Sequence, residues 1–376
     1  MQDDFYKLVS ILVNKCFKHL NLRQRTNLAD LVTAFLSNTS FALWDIATSL
    51  SGNTSTKHKH KRLIYFLDSL TIDINFWKAY SLMLFSLPGF KFKKRKMITL
   101  AFDATTLKED FWILAITVSF NGRGIPLYLK CWKGVNESYD YWSRVKTVLK
   151  DLKEILPKGY LFEIVADRGF QGDVMFQMCK ELSIDFIIRI NDSYKVKLPN
   201  GEEYIQLSLF NDGYYITESL GKKSQTPGMN LCVNSKKLEN GEVAKWYLVA
   251  NTCTLDEVRS SRELSQEAMI DRYTTRFWIE EGIKDLKSKL HWEKYTEKIP
   301  QNERLTKCII ISCFSYAVQT AIGNQLEMSQ SDRLRTSIFN KFRQSIRRGT
   351  DELKRVILNF INIISVYIMR TTPCFN

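Results

Sequence analysis

The spacing of apolar and polar residues divides the chain into a helical first quarter, a central stretch of alternating strands and helices, and a helical end. In the first quarter, apolar residues recur every three to four positions, which is typical of amphipathic helices. The predicted helices lie at 5–20, 28–36, 41–50 and 57–70. Shorter, continuous apolar runs appear beyond residue 96 and indicate buried strands. The pattern therefore predicts an α/β fold with an all-helical region in front of it.

The central stretch has a recognisable order of elements. The predicted elements are strands at 97–102, 111–120 and 125–132, a helix at 142–156, a strand ending at Asp167, a helix at 174–182 and a strand at 186–190. Three antiparallel strands followed by alternating helix and strand is the order of a ribonuclease-H-like core. That order puts the ends of the first and fourth strands side by side, which brings Asp103 near Asp167.

A β-rich insertion is predicted at 192–253. Its short, polar strands lie at 194–198, 204–209, 214–218, 229–234 and 246–251, separated by Asn-Gly and Asp-Gly turns. We expect this insertion to lie over the site and to touch DNA. The predicted regions are a helical DNA-binding domain at 1–90, the catalytic core at 91–191 and 254–325, the insertion at 192–253, and a basic helical C-terminal region at 326–376.

One further predicted helix, at 264–290, carries an unusual combination of side chains. At about 100° per residue, Tyr273, Arg276, Glu280 and Lys287 fall within an arc of about 60° on one face. A lone carboxylate among cations suits a divalent metal whose substrate is anionic. A solvated helix face with salt bridges four residues apart gives the same pattern.

Two more carboxylates follow predicted strands. Asp103 comes after the strand at 97–102, and Asp167 ends the fourth strand. Taken singly, each aspartate is as typical of a helix cap or a turn as of a functional site. Together with Glu280 they would form an oxygen site for Mg²⁺ or Mn²⁺, and phosphodiester chemistry of this kind uses two ions about 3.5 to 4 Å apart.

With these residues in view, the chain resembles the DDE transposases of the insertion-sequence family called IS-four. The signature of that family is Y-x2-R-x3-E-x6-K, which Tyr273, Arg276, Glu280 and Lys287 match without a gap. Asp103 stands in a D-x-T setting, and Asp167 is followed by Gly-Phe two residues on. The resemblance runs from about residue 97 to 290 and extends more weakly into the basic helix near residue 57.

The resemblance implies a function and a set of residue roles. It implies a ribonuclease-H-like catalytic core, dependence on Mg²⁺ (or Mn²⁺) and cut-and-paste movement of DNA. Asp103, Asp167 and Glu280 would be the catalytic metal ligands, and Tyr273, Arg276 and Lys287 would contact the end of the element. The family releases ends through a DNA hairpin with a flipped base held by an aromatic side chain. Trp246, Tyr247 and Phe277 are candidates for that contact, with core packing as the alternative.

The charge distribution favours double-stranded DNA as the partner. The net charge is +14; residues 1–96 carry +9, residues 301–376 carry +6, and the remainder carries −1. Basic flanks would hold a polyanion over a near-neutral centre, although basic flanks also favour solubility. A turn precedes a predicted helix that begins with Lys57, Lys59, Lys61 and Arg62. This arrangement fits a helix-turn-helix facing DNA, and a solvated helix terminus fits it equally.

The basic residues of the C-terminal region are the last candidates for DNA contact. They are Arg333, Arg335, Lys341, Arg343, Arg347 and Arg348. This tail would bind DNA, dimerise, or do both. We expect a homodimer in the DNA complex.

Several functional classes have little support in the sequence. Eight scattered cysteines and four histidines form no zinc-ligand spacing and no nucleophile scheme with a histidine base. No phosphate-binding glycine loop of the G-x4-G-K type is present, so no nucleotide cofactor is expected. The apolar runs at 308–322 and 356–369 are shorter than a membrane span, so we expect no membrane and a cytoplasmic, nucleoid-associated protein.

The sequence therefore predicts a DNA transposase that cuts by hydrolysis and joins by transesterification. Two alternatives stay open: a ribonuclease-H-like nuclease that cuts without joining, and a non-catalytic DNA-binding descendant of a transposase.

Overall fold

The computed structural model describes residues 2–370 except for a set of short segments. Those segments are 38–41, 51, 91–96, 108–110, 121, 135–137, 222–225, 228, 238–240, 252–264, 289, 291, 293–301, 327–341, 343–344 and 347–350. The basic C-terminal residues predicted to contact DNA, from Arg333 to Arg348, lie outside the described residues.

Five helices form the N-terminal region. They are α1 (Gln2–Cys16), α2 (Leu22–Ser37), α3 (Leu43–Ser49), α4 (Thr56–Ser69) and α5 (Ile74–Ser86). The first residue of each of the last two helices follows a polar cap: Ser55 accepts a hydrogen bond from the backbone N–H of His58, and Asp73 from that of Phe76. Their apolar faces join the same hydrophobic core as the central sheet, so the helical region packs directly on the rest of the protein.

The central elements follow the predicted order. They are β1 (Met97–Leu107), β2 (Phe111–Phe120), β3 (Arg123–Lys133), α6 (Ser138–Ile155), β4 (Leu161–Ala166), α7 (Asp173–Glu181) and β5 (Asp185–Ile190). Strands β1, β2 and β3 are antiparallel neighbours, while β1, β4 and β5 run parallel. This mixed sheet with helices is compatible with a ribonuclease-H-like core.

The described strands of the predicted insertion are divided between the central sheet and a separate, smaller sheet. Its strands are β6 (Lys195–Lys197), β7 (Ile205–Gln206), β8 (Gly213–Ile216), β9 (Ser219–Leu220), β10 (Thr226–Pro227), β11 (Met229–Lys237) and β12 (Val243–Asn251). Strand β12 pairs with β5, and β11 and β8 follow it, so the central sheet has the order β3-β2-β1-β4-β5-β12-β11-β8. The strands β8, β11 and β12 of the insertion thus join the central sheet instead of forming a separate unit. They extend the sheet because β12 satisfies the open hydrogen-bonding edge of β5.

Four helices complete the described part of the chain. They are α8 (Gln266–Thr274), α9 (Phe277–Ser288), α10 (Asn302–Gln325) and α11 (Asp351–Arg370). The prediction of a single helix at 264–290 is wrong, because the helix is interrupted at Thr275–Arg276. There the N–H groups of Thr275, Arg276 and Trp278 bond to carbonyls three residues back, which is a tighter winding than an α-helix. Tyr273 thus lies on α8, and Glu280 and Lys287 lie on α9.

Helix α10, of 24 residues, is a long and largely apolar helix. Its segment Glu303–Gln325 is long and apolar enough by composition to cross a membrane, yet 89% of that segment's apolar window is buried inside the protein. It packs between α2 and β3. Buried core helices can have the same length and apolar composition as membrane spans, so this helix alone is weak support for a membrane span.

Removal of the Tyr80 hydroxyl should weaken the contact between the helical region and the sheet. The buried hydroxyl donates a hydrogen bond of 2.8 Å to the carbonyl of Pro126 on β3. Tyr80→Phe would leave that carbonyl with one partner fewer and should lower the free energy of unfolding by about 1 to 2 kcal/mol. Urea unfolding measures the loss. Tyr65→Phe, at a side chain that is 66% exposed, is the control; equal stability of both variants would contradict this role for Tyr80.

Candidate active site

The two aspartates lie next to each other because of the register of two parallel strands. The ladder between β1 and β4 ends at the pair Phe102 and Ala166, so the next residues are Asp103 and Asp167. The prediction that the first strand stops before Asp103 is wrong. Strand β1 continues to Leu107 because it stays paired with β2, with Asp103 opposite Ala115.

Hydrogen bonds from backbone N–H groups orient both aspartates. The Asp103 carboxylate accepts one from Ala104 at 2.9 Å. The Asp167 carboxylate accepts one from Gly169 at 2.8 Å and so caps a single 3₁₀ turn at Arg168–Phe170. Packing against β1 also holds this turn, since the ring centroid of Phe170 lies 4.5 Å from that of Phe102. Asp167 is thus both a turn former and a candidate ligand.

The environment of Asp103 disfavours its negative charge. Burial raises the pKa of Asp103 to about 6, and the nearby Asp167 and Glu280 carboxylates add to the rise, while the Ala104 N–H and Arg276 oppose it. Two carboxylates placed together at partial burial are stabilised when a cation joins them. The local electrostatics therefore suit a bound cation.

Glu280 reaches the same region from helix α9. Its carboxylate lies 2.7 Å from the guanidinium of Arg276, whose side chain is only 8% exposed, against 52% for Glu280. Lys287, about two turns further along α9 on the same face, donates a hydrogen bond of 2.7 Å to the hydroxyl of Thr105. An open depression of about 410 Å³ lies between the sheet and the helix; its lining residues are Asp103, Thr105, Glu280, Ile283, Lys284, Lys287 and Ser288.

The three carboxylates of Asp103, Asp167 and Glu280 are chemically suited to a divalent metal, but they do not form a complete ligand cluster. Within the described residues, no three side chains of the types His, Cys, Asp and Glu are close enough to hold an ion. In this arrangement the Glu280 carboxylate is paired with the Arg276 guanidinium at 2.7 Å. The donor set consists of carboxylate oxygens, which are the ligands that Mg²⁺ and Mn²⁺ prefer, and a cation would favour the charged form of Asp103 that its surroundings disfavour. Asp103, Asp167 and Glu280 would be the ligands.

The glutamate helix approaches the sheet through two glycines that the sequence analysis did not single out. A Cβ atom on Gly282 would overlap the carbonyl of Gly124 on β3, and one on Gly124 would lie 2.7 Å from the Cα of Ile279. Next to this contact, the buried Asp285 forms an ion pair of 2.9 Å with Arg123. The glycines and the ion pair fix α9, and with it Glu280, against β3. In the sequence, Gly124 and Gly282 appear only as two isolated glycines, so the sequence does not indicate that they meet.

The aromatic candidates for base stacking are packed against one another. Trp246 is 4% exposed, and its ring centroid lies 5.6 Å from Tyr273 and 5.8 Å from Phe277. Tyr273 is fully buried and Tyr247 is nearly so, while Phe277 is half-buried. The structure thus gives the core-packing alternative for Trp246 and Tyr247. The same burial places Tyr273 under Arg276 rather than at the protein surface.

The four basic residues of α4 separate into two pairs. Lys57 and Lys61 are exposed. Lys59 donates a hydrogen bond of 2.6 Å to the carbonyl of Leu50, and Arg62 forms an ion pair of 2.8 Å with Asp30. Lys59 and Arg62 therefore hold α4 onto its neighbouring helices, and only Lys57 and Lys61 present free charge to a partner.

One residue beside the aspartates had no signal in the sequence. Tyr141 lies in the first turns of α6, just before the predicted helix start at residue 142. Burial raises the pKa of its phenol, and the charges of Asp167 and Asp103 raise it further. Tyr141 is thus a neutral phenol close to both carboxylates.

The chain matches one known protein family over less than half of its length. Residues 143–312 match the family described as the transposase DDE domain. The matched range contains Asp167, Arg276, Glu280 and Lys287, and it begins after Asp103. The match supports a DDE transposase as the class of protein. No curated protein matches the chain.

Proposed function

We propose that the chain is a DNA transposase of the IS-four type. It would bind the terminal inverted repeats of its element, cleave the strand at each end with a divalent metal, release the end through a hairpin and join it to target DNA. The observation that carries this proposal is the strand register that sets Asp103 beside Asp167. The glutamate of the Y-x2-R-x3-E-x6-K signature faces the same depression as Asp103. The family match supports the same class.

Each residue of the site has a distinct task in this chemistry. Asp103 and Asp167 would hold Mg²⁺ or Mn²⁺ from the sheet, and Glu280 from the helix. Such ions polarise the scissile phosphate and make water or a 3′-hydroxyl a better nucleophile. Arg276 keeps Glu280 in place through its 2.7 Å ion pair and supplies positive charge beside the reacting phosphate. Lys287 adds a second cation, positioned by Thr105.

The basic flanks support DNA as the substrate. Residues 1–96 carry +9 and include the exposed Lys57 and Lys61, whereas the middle of the chain is close to neutral. Neutralisation of phosphates supplies most of the sequence-independent affinity for DNA. The flanks would therefore hold the duplex while the central site cuts it.

Loss of the Glu280 carboxylate should stop cleavage and spare binding. The substrate is a labelled duplex copied from each flank of the coding region, where inverted repeats are expected. With Mg²⁺, the wild-type protein should nick it at the repeat boundary. Glu280→Ala should be slower by about 100-fold or more, which corresponds to about 3 kcal/mol of lost transition-state stabilisation. Glu267→Ala, an exposed glutamate of α8, is the control.

A strand-transfer assay separates the transposase from the two alternatives. Pre-cleaved flank duplexes with a free 3′-hydroxyl are mixed with plasmid DNA, the protein and Mg²⁺. Joined products support a transposase, whereas nicking without joining identifies a nuclease. Binding of the flank duplex without either reaction would identify a non-catalytic DNA-binding protein. Wild-type rates for Glu280→Ala would refute the site assignment.

A further inference from the structure

We propose that Arg189 and Lys236, which contact the indole of Trp246, form a clamp for the DNA phosphate backbone beside the catalytic carboxylates. The proposal rests on the proposed function and adds two residues that neither the signature motif nor the family match singles out. Arg189 comes from β5 and Lys236 from β11, so the insertion would supply one half of the clamp.

The two cations are arranged around one aromatic ring. The guanidinium carbon of Arg189 lies 5.8 Å from the centroid of Trp246, and the Nζ of Lys236 lies 5.1 Å from it. Lys236 is also 6.0 Å from the ring of Phe277. A cation over an aromatic ring is attracted by the ring electrons but keeps its charge available to a phosphate.

Arg189 differs from three other half-buried arginines of the described residues in the partners that surround it. Arg62, Arg123 and Arg272 each form an ion pair with a buried carboxylate, at 2.8, 2.9 and 3.1 Å. No carboxylate partner of Arg189 or Lys236 is found in the part of the chain that the structure describes. Arg189 is half-buried and Lys236 is exposed, so both cations remain accessible to a phosphate that would supply the counter-ion.

The charged neighbours of Arg189 are themselves mostly cations. Burial lowers its pKa; Tyr273 raises the pKa, and the positive charges of Arg168 and Arg276 lower it again. Arg168 directly follows Asp167, and Arg276 holds Glu280. Positive charge therefore continues from Lys236 through Arg189 to the edge of the carboxylate site. A polyanion lying along this path would relieve the repulsion and reach the carboxylates with one of its phosphates.

The salt dependence of DNA binding tests the clamp directly. The dissociation constant of a labelled flank duplex is measured without divalent metal over a series of KCl concentrations. Each phosphate contact contributes about 0.9 to the slope of log K against log salt concentration. Arg189→Gln and Lys236→Gln should each reduce the slope by about that amount, and Arg189→Lys should retain it. Both glutamine variants should also slow cleavage in Mg²⁺ by about tenfold or more.

Lys237→Gln is the matched control. Lys237 is exposed and neighbours Lys236 on β11, so its side chain points to the other face of the strand, away from Trp246. Lys237→Gln removes the same charge as Lys236→Gln, but it should leave the salt slope of DNA binding and the cleavage rate unchanged. Slopes for Arg189→Gln and Lys236→Gln equal to that of Lys237→Gln would overturn the clamp. If Arg189→Gln does not fold, the exposed Lys236→Gln decides alone.

Failure of the clamp and failure of the proposed function are distinguishable. A wild-type protein that binds the flank duplex but never cuts it in Mg²⁺ would refute the transposase activity, whatever the slopes show. A wild-type protein that cuts normally, together with unchanged slopes for both glutamine variants, would refute only the clamp.

Discussion

Replacement of Asp103 by asparagine should abolish strand cleavage and at the same time make the protein more stable at neutral pH. The cleavage rate in Mg²⁺ should fall by about 10³-fold or more, because a metal ligand contributes several kcal/mol to the transition state. Binding of the flank duplex should change little. A cleavage assay under single-turnover conditions and a binding titration measure the two effects separately.

The gain in stability follows from the environment of the carboxylate. Its pKa of about 6 in the folded protein lies above the ordinary value of 3.8, so the native state binds the proton more tightly than the unfolded state. The unfolding free energy therefore falls as pH rises from about 4 to about 6, and the charged form remains a cost above that range. After allowance for partial solvation, the cost is about 1 to 2 kcal/mol. Asparagine has no charge and avoids it.

Thermal unfolding at two pH values tests this prediction in a metal-free buffer. At pH 7.5 the Tm of Asp103→Asn should exceed that of the wild type by about 1 to 3 °C, and at pH 4 the difference should nearly vanish. Asp271→Asn, at an exposed position of α8, should show no difference at either pH. Cleavage at the wild-type rate would contradict the assignment of Asp103 as a ligand. An unchanged Tm at pH 7.5 would contradict the electrostatic cost.

Introduction of a single methyl group at Gly282 should displace the glutamate helix. A Cβ atom at this position would overlap the backbone carbonyl of Gly124, and neither backbone can yield without moving α9 or β3. Gly282→Ala should lower the free energy of unfolding by about 3 kcal/mol. It should also reduce cleavage by about 100-fold, since a shift of about 1 Å in a catalytic group has that effect. Urea unfolding and the cleavage assay measure both.

A glycine with more room around it provides the comparison. Gly213 on β8 has only the side chain of Tyr215 near its hypothetical Cβ, at 3.3 Å, and that ring can move. Gly213→Ala should change the unfolding free energy by less than about 1 kcal/mol and leave cleavage intact. If Gly282→Ala were as stable and as active as Gly213→Ala, the close contact would have no role in positioning Glu280.

Local patterns predicted the elements that depend on local properties. The strand at 111–120 and the helix at 174–182 were predicted within a residue or so of β2 and α7, because apolar periodicity and turn residues are features of the sequence itself. The break at Thr275 was missed. Apolar residues continue at helical spacing across it, and the tight turn forms through backbone hydrogen bonds that periodicity does not record.

The sequence by itself determined which carboxylates are candidates, because the signature spacing and the apolar runs next to both aspartates are properties of neighbouring residues. It also determined the basic flanks, which follow from composition alone. The tertiary structure decided which of these side chains meet and what else meets them. The ion pair of Arg276 with Glu280 follows from the spacing, but the contact of Gly124 with Gly282 joins residues that are distant in the chain. The position of Arg189 beside Trp246 likewise depends on the pairing of β5 with β12, which a sequence pattern without long-range information does not specify.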